Sequence, residues 1–315
     1  MSLDRSPFFE RLDGAKSVLI AGAGGGFDVF AGLPVYFHLE RLGKKVHLAN
    51  LSFTNLVKAE GRRLNAHAIE ITAASQGPEY FPEGQLARWF ERRSQQVPVY
   101  ALEKTGGRPL RLAYERLQQE LGFDTIVLVD GGTDILMRGD EAGLGTPQED
   151  ITSLAVVNSL AIEQKFVLCV GFGVDRFHGV CHAHFLENVA ALSRENAFLG
   201  VISLLPEHPE AALYREAVSY ACEQTKNKPS IVCLSIKSAI EGSYGDVHST
   251  ERTEGSRLWI NPLMSMYWAF ELGAVARRCF YLDAVLGTET AWEATAMIEA
   301  VRKTLKCRAW EDIPV

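Results

Sequence analysis

The chain has 315 residues, of which 47% are hydrophobic and 23% are charged, as is ordinary for a globular protein with a large core. A formal net charge of -7 with scattered Lys and Arg residues argues against broad binding to nucleic acid or to an anionic membrane surface. We find no segment with the pattern of a signal peptide or a membrane-spanning helix. We therefore expect a cytoplasmic protein whose residues 1–315 form a single domain.

The six cysteines are spread along the chain without a Cys-x-x-Cys pair, and most lie in apolar runs. This distribution favours neither a structural zinc site nor a disulfide framework. Cys169 lies near the end of a predicted strand, where a nucleophile is one interpretation. Its apolar neighbours favour the other interpretation, a buried thiol.

The N-terminal region predicts a βαβ unit: a strand over Ser17–Ala21, a glycine turn, a helix over Phe27–Leu42 and a second strand over Lys45–Leu51. Consecutive glycines between a strand and a helix let backbone N–H groups approach an anion at the positive end of the helix dipole. The glycines that we expect to contact a phosphate are Gly24, Gly25 and Gly26.

The same turn matches the dinucleotide-binding fingerprint only in part. Phe27 replaces its third glycine, and the second strand ends in Asn50 where the fingerprint has an acid. Asp28 would repel a bare phosphate but would accept a cation, a ribose hydroxyl or an amine. The alternative is that Asp28 only stabilises the dipole of its helix. A nicotinamide site is therefore disfavoured.

The longest loop, Asp130–Gly145, follows a predicted buried strand over Thr125–Val129. Most connections in compact domains have roughly 4–6 residues, so this one indicates a functional role. It combines glycines with acids that have few neighbouring cations. The loop residues that we place in the site are Asp130, Gly131, Gly132, Thr133, Asp134, Arg138 and Asp140, with Glu141 as a further acid.

A capping box at Thr146 and Glu149 predicts the start of the next helix. Acids in a first helical turn stabilise the helix dipole, and this explains Glu149 and Asp150 without a ligand. We therefore exclude both from the site.

The next predicted strand, Phe166–Val170, is also followed by glycines and an acid. The residues assigned to the site from this segment are Gly171, Gly173, Asp175 and His178. A metal site of His178 and His182 is a minority interpretation, because the two share a helix face only if the helix begins before Gly179.

The other predicted elements alternate in the same way. They are strands over residues 97–101, 198–204, 230–234 and 257–260 and helices over residues 209–224, 263–276 and 289–304. Segment 52–96 is irregular at its start, contains a loop over Gly77–Pro82 and a predicted helix over Gly84–Ser94, and is a candidate lid. Alternation of strands and helices predicts an α/β fold, a doubly wound and mostly parallel Rossmann-like sheet flanked by helices.

In a sheet with its first five strands in the order 3-2-1-4-5, the chain reverses direction between the first and fourth strands. Ligands bind at such a reversal, outside the carboxyl ends of the strands. This order would bring together the loops that begin at Gly22, Asp130 and Gly171. We expect one cleft formed by all three.

Linked motifs also carry a resemblance to a known family. Gly22–Asp28 with Leu33-Pro34, the run Asp130–Asp134 followed by Arg138–Glu141, and Gly145–Asp150 are similar to the bacterial and archaeal domain-of-unknown-function 1152 family. The likeness covers most of the chain and departs at Phe27, where a fourth glycine is expected. It implies a Rossmann-like fold and brings no established activity.

The leading hypothesis is an enzyme, a hydrolase or transferase that binds a small phosphorylated or nucleotide-like metabolite in the cleft. Asp130 and Asp134 would hold Mg²⁺ or Ca²⁺, with a general base among Asp28, Asp140, Asp175 and His178. The alternatives are a metabolite sensor without catalysis and an NAD(P)-dependent oxidoreductase. We expect the partner to be a small molecule, and we expect binding neither to nucleic acid nor to a membrane. Whether the protein forms a homo-oligomer is left open.

The expectation of a metal follows from counting charges. Six acids, Asp28, Asp130, Asp134, Asp140, Glu141 and Asp175, would face two cations, Arg138 and Arg176. A cleft of low polarity can hold this excess of negative charge only if some of the acids are protonated or a counter-ion is bound.

Overall fold

The computed structural model describes residues 6–256 and 258–313. Its strands are β1 Ser17–Gly22, β2 Lys45–Ser52, β3 Arg62–Asn65, β4 Ala68–Ile71, β5 Val99–Glu103, β6 Thr125–Asp130, β7 Gln164–Cys169, β8 Phe198–Ser203, β9 Gly245–Asp246, β10 Trp259–Ile260 and β11 Met266–Glu271. Its α-helices are α1 Pro7–Leu12, α2 Asp28–Ala31, α3 Leu33–Arg41, α4 Pro82–Arg92, α5 Gly107–Leu121, α6 Pro147–Ser159, α7 His182–Arg194, α8 Pro209–Gln224, α9 Ile231–Ile240, α10 Leu272–Arg278, α11 Leu282–Leu286 and α12 Ala291–Arg302.

Nine strands form one mixed sheet in the order β3-β4-β5-β2-β1-β6-β7-β11-β8. The five central strands of this order, β5-β2-β1-β6-β7, are parallel to one another. They take the order 3-2-1-4-5 in the chain, which the sequence left open and on which the expected cleft depended. The predicted α/β fold is confirmed. The carboxyl ends of β1 and β6 are therefore neighbours at the reversal between the first and fourth strands.

Helices cover both faces of the sheet. Val18 and Ile20 of β1 belong to one core cluster, with residues of α2, α3, α4, α8 and α9. Leu19 and Ala21 belong to the other, with residues of α5, α6, α10, α11 and α12. Since alternate residues of a strand point to opposite faces, each cluster fills one side of the sheet. None of the helices among the described residues is both long and apolar enough to cross a membrane.

The predicted strand 230–234 is wrong, because this segment begins helix α9. Ser230 caps it, with its hydroxyl accepting a hydrogen bond from the Cys233 N–H at 3.1 Å. Cys233, Ile236 and Ile240 then enter the core at helical spacing. A short apolar run does not distinguish a buried strand from a buried helix, which is why the prediction failed.

The predicted helix 263–276 is also wrong over its first half. Met266–Glu271 forms β11, which pairs antiparallel with β7 and with β8. Tyr267 and Ala269 enter one core cluster while Phe270 enters the other, as strand alternation requires. In the predicted strand 257–260, Arg257 lies outside the described residues, and the strand there is Trp259–Ile260.

The predicted helix Phe27–Leu42 is divided into α2 and α3 at Gly32. A Cβ on Gly32 would lie 2.4 Å from Ile20 Cγ2, so α2 packs directly on β1 at this glycine. In the candidate lid segment 52–96, β3 and β4 form a hairpin at the sheet edge and α4 packs on the sheet. The structure therefore gives most of that segment regular secondary structure.

Asn50 connects the end of β2 to the glycine turn. It is fully buried, and its amide donates to the Gly26 carbonyl at 2.9 Å and to Glu83 Oε1 at 2.7 Å. Its side-chain oxygen accepts from the Val29 N–H at 3.3 Å. Asn50 thus holds the turn from behind and is not available to a ligand.

We expect Asn50→Ala to lower the free energy of unfolding by about 2–3 kcal/mol, because it leaves buried polar groups without partners. Asn55→Ala is the control, since the exposed Asn55 side chain only caps a short 3₁₀ turn; its cost should be below about 1 kcal/mol. Urea unfolding measures both. Equal losses would show that the Asn50 network does not hold the turn.

Candidate functional site

A cleft of about 460 Å³ opens at the carboxyl ends of β1, β6 and β7. The three loops predicted to converge do meet here. The lining residues are Gly24, Gly25, Gly26, Phe27, Asp28, Phe53, Tyr80, Asp130, Gly131, Gly132, Asp134, Thr146, Asp150, Asp175, His178, Lys228, Ser230, Ile231, Val232 and Arg252. The site is therefore acidic at its floor, with aromatic and basic residues from other segments.

Asp28 begins α2 and is partly exposed to the cleft. Its Oδ2 accepts a hydrogen bond from the Gly24 N–H at 2.6 Å. This contact corrects the prediction for Gly24, whose amide is already occupied by a carboxylate and is not free for a phosphate. A Cβ on Gly25 would meet the Phe53 ring at 2.3 Å, so the glycine turn also lies close beneath an aromatic side chain.

Asp130, at the end of β6, shapes the loop that follows it. Its Oδ1 accepts from the Gly132 N–H at 2.7 Å, and its Oδ2 accepts from the Ile135 N–H at 3.2 Å. The carboxylate is buried, with 3% of its surface exposed. These bonds fix its position beside Asp28.

Asp150 lines the cleft, so its exclusion from the predicted site was wrong. It lies in the first turn of α6 with 1% of its surface exposed, and neither carboxylate oxygen has a hydrogen-bond partner among the described residues. One oxygen from each of Asp28, Asp130 and Asp150 lies within 4.8 Å of the others. We call these three residues the carboxylate triad.

Glycine at position 24 makes this arrangement possible. A Cβ there would lie 2.8 Å from Asp28 Oδ2 and 2.9 Å from Asp150 Oδ1, closer than side chains normally approach. The turn predicted to cradle a phosphate therefore makes room for two carboxylates instead.

Asp134 lines the cleft but has a different set of contacts. Its Oδ2 accepts from the Thr146 N–H at 2.7 Å and from the Thr146 hydroxyl at 3.0 Å. Thr146 accordingly makes no side-chain cap on α6, and Glu149 forms an ion pair with Lys104, so the predicted capping box is wrong. Asp134 holds the long loop to α6. The carboxylate oxygens that lie close enough together to share an ion are those of the triad, which contains Asp130 of the predicted metal pair but not Asp134.

Asp175 comes from the short 3₁₀ helix Val174–His178 after β7. Its Oδ2 accepts from the Thr133 N–H at 2.7 Å, and this contact joins the β6 and β7 loops. A Cβ on Gly132 would lie 2.4 Å from the same oxygen, so only glycine allows the approach. Thr133 itself is buried behind the cleft.

Three further assignments, Arg138, Asp140 and Glu141, are corrected by position. Arg138 forms a two-point ion pair with Asp140, through Nε at 2.8 Å and Nη2 at 2.6 Å, and Arg308 lies 3.2 Å from the same carboxylate. The Glu141 carboxylate accepts from the N–H groups of Arg138 and Gly139. Among the described residues, Arg138, Asp140 and Glu141 lie outside the cleft lining, so Asp140 is withdrawn as a general base.

The glycines after β7 also differ from the prediction. Gly171 and Gly173 have left-handed backbone conformations, with φ of 82° and 98°, which form the tight turn that places Asp175. Of the described residues, neither glycine lines the cleft. His178 lines it and is exposed, whereas His182 faces another cavity, so the two-histidine metal interpretation is wrong.

The basic and aromatic part of the cleft was missed by the sequence reasoning. Lys228 and Arg252 are exposed, Phe53 is 46% exposed, and Tyr80 lies beside them. We call these four residues the rim. Because they come from four separate segments of the chain with no motif in common, only the folded chain reveals their association.

The comparisons with known proteins agree with the motifs. The family described as "Protein of unknown function (DUF1152)" matches residues 19–304. The chain belongs to this family. The resemblance predicted from the linked motifs is thus confirmed, and the matched span contains every residue that lines the cleft. A comparison with curated proteins finds no match.

Burial, and then the charges of neighbouring carboxylates, raise the pKa values of the triad in this DUF1152 member. Burial raises the pKa of Asp28 to about 8, with the hydrogen bond from Gly24 opposing the shift and the charge of Asp134 adding to it. Burial and then the neighbouring carboxylates hold the pKa values of Asp130 and Asp150 well above their ordinary range. Without a counter-ion, the cleft therefore binds protons near neutral pH.

Cys169 remains a buried thiol rather than a nucleophile. It has no exposed surface, and burial followed by the charge of Asp130 raises the pKa of its thiol well above the ordinary value. A thiol that resists ionisation is a poor nucleophile.

A raised pKa in the folded state predicts how stability changes with pH. Between about pH 4 and pH 8 the folded protein keeps a proton on Asp28 that the unfolded chain has released, so stability falls as pH rises. One titrating group changes the free energy of unfolding by at most about 1.4 kcal/mol per pH unit. We expect Asp28→Asn to make the decline shallower, because the amide keeps the shape and does not titrate.

Urea unfolding at several pH values in the presence of EDTA measures this slope. Asp283→Asn is the matched control, since Asp283 is an exposed acid on α11 and should leave the slope unchanged. An identical slope in wild type and Asp28→Asn would contradict the proposed protonation of the triad.

Proposed function

We propose that this protein is an enzyme of the hydrolase or transferase type that uses a divalent cation to act on a small phosphorylated or nucleotide-like metabolite. The observation that carries the proposal is Asp150, whose buried carboxylate has no hydrogen-bond partner among the described residues and lies beside Asp28 and Asp130. A buried carboxylate without a partner is costly, and a bound cation would remove that cost.

The donor set favours a hard cation. The triad supplies carboxylate oxygens alone, which suit Mg²⁺ and Ca²⁺, whereas Zn²⁺ prefers histidine and cysteine. The oxygens also lie close enough together to share one ion. A divalent ion held there would neutralise charge on the floor of the cleft and on a phosphate oxygen of the substrate.

The rim supports a phosphorylated substrate. Lys228 and Arg252 place positive charge at the cleft, and the Arg252 guanidinium also donates to the Pro229 carbonyl at 2.6 Å, which joins the two basic segments. Ile231 and Val232, in the first turn of α9, line the same wall, where a helix dipole favours an anion. A phosphate would therefore bind at the rim rather than at the glycine turn.

Aromatic side chains support a ring as the other half of the substrate. The partly exposed Phe53 ring and the Tyr80 ring both line the cleft, and the Lys104 ammonium lies 4.9 Å from the Phe53 ring centroid. A volume of about 460 Å³ lies within the roughly 300–1,000 Å³ of small-molecule sites. A base or sugar ring against Phe53 would leave its phosphate between the rim and the triad.

His178 is the best placed general base of those predicted. It is exposed and lines the cleft, whereas Asp175 is committed to the Thr133 N–H and Asp140 lies elsewhere. In this assignment His178 accepts the proton of the attacking water or hydroxyl group. Asp175 positions the β6 loop.

The structure offers less support to the two alternatives. Asp28 and Asp150 crowd the turn on which a nicotinamide dinucleotide would place its pyrophosphate, and Asn50 is buried where such a cofactor needs an acid. A sensor would use the same cleft and bind a phosphorylated metabolite without turnover. Turnover therefore separates the leading proposal from the sensor.

Release of inorganic phosphate from a panel of nucleoside phosphates and sugar phosphates, with Mg²⁺ and with EDTA, tests the proposal. We expect Mg²⁺-dependent release that Asp150→Asn lowers at least about 100-fold, because the substitution removes a charged ligand of the ion. Lys228→Gln should raise KM by about tenfold, the loss of one charged contact to phosphate.

Lys226→Gln is the matched control, since Lys226 is exposed two residues away and is not among the described residues that line the cleft. Binding of a phosphate compound without turnover would favour the sensor. Activity that persists in EDTA and in Asp150→Asn would contradict the metal-assisted mechanism.

A further inference from the structure

A second cavity, of about 490 Å³, lies on the other side of segment 171–178 from the cleft. This segment gives Asp175 and His178 to the cleft, and it gives Phe172 and Arg176 to the second cavity. We call this space the aromatic cavity. It shares no lining residue with the cleft among the described residues, so a ligand in one does not occupy the other.

Exposed aromatic rings line the aromatic cavity. Tyr244 is 69% exposed and Trp259, on β10, is 57% exposed, and their ring centroids are 5.6 Å apart at an interplanar angle of 79°. Deeper in, the Phe172 ring lies 5.0 Å from the His182 ring. Large aromatic surfaces that line a concave space are characteristic of sites for planar ligands.

A cation that has no carboxylate partner among the described residues lies beside these rings. Arg176 is exposed, and its guanidinium stacks on the Trp310 ring at 5.3 Å from the centroid. The ion pairs of the neighbouring described residues join Arg308 to Asp140, Glu141 and Glu187 and leave Arg176 unpaired.

His182 adds a polar atom inside the cavity. Its Nε2 is buried without a hydrogen-bond partner among the described residues. Burial, and then the charge of Arg176, lower the pKa of His182, although the nearby Gly173 backbone favours the charged ring. The neutral imidazole therefore leaves an unpartnered ring nitrogen in the wall of the cavity.

We propose that the aromatic cavity binds a small planar aromatic ligand that carries an anionic group. The ring would pack against Trp259 and Tyr244, and the anionic group would pair with Arg176. The cavity volume lies within the usual range of small-molecule sites. This site is independent of the metal-assisted function proposed for the cleft.

Benzoate and benzamide are matched probes, since they share a ring and a shape and differ in charge. Saturation-transfer NMR measures their binding to the full chain, and the part of the tryptophan quenching that Trp259→Ala removes reports their contact with Trp259. We expect benzoate to bind with a Kd on the order of 1 mM and benzamide to bind at least about fivefold more weakly.

Two variants separate the charge from the ring contact. Arg176→Gln should weaken benzoate binding to the level of benzamide and leave benzamide unchanged. Trp259→Ala should weaken both probes about fivefold. If Trp259→Ala does not fold, as circular dichroism would show, the Arg176→Gln result decides alone.

Arg194→Gln and Trp292→Ala are the controls, because both residues are exposed and lie outside the cavity lining. Neither should change the affinity of either probe. Equal affinity for benzoate and benzamide, or the same benzoate affinity in wild type and Arg176→Gln, would overturn the proposal.

Discussion

The repulsion between buried carboxylates at the reversal of the sheet is the constraint on which the site depends. β1 and β6 end side by side, so Asp28 and Asp130 are brought together by the topology itself. Asp150, which lies in the first turn of α6, adds a third carboxyl group with only 1% of its surface exposed. The backbone around them is adapted to this crowding, because glycine at 24 and 132 leaves room for carboxylates at distances that a Cβ would not allow. Protonation or a cation is then required to balance the charge.

Much of the fold follows from local pattern. Apolar strands such as Thr125–Asp130 have no polar face, which predicts a central parallel strand, and the alternation with helices then restricts the topology to few choices. The order of the five central strands was left open by these patterns, and the meeting of three loops was expected only for the order that the structure shows. The two mistaken elements, 230–234 and 263–276, are apolar runs in which helical and strand periodicities are hard to distinguish.

The candidate site was less predictable than the fold, because local motifs do not show which distant residues of the chain lie close together in space. Asp150 has a sufficient local explanation as an acid in a first helical turn, and only the packing of α6 against the glycine turn shows that its carboxylate is buried without a partner. Asp140 shows the opposite error, because it was predicted in the site from its place in the acidic loop. In the structure it pairs with Arg138 and with Arg308, which is more than 160 residues away in the chain. Lys228 and Arg252 carry no motif, and their role depends on how α9 and the following loops fold over the cleft.

The most direct test of the account is the location of a bound cation. Mn²⁺ is a suitable stand-in for Mg²⁺ because both prefer oxygen ligands, and its anomalous scattering identifies it in a crystal. We predict one anomalous peak in crystals grown with millimolar Mn²⁺, at about 2.0–2.6 Å from carboxylate oxygens of Asp28, Asp130 and Asp150, and no such peak in crystals of Asp150→Asn. Wild-type crystals without a peak in the cleft, or with one bound instead at Asp140, would contradict the claim that the triad is a cation site.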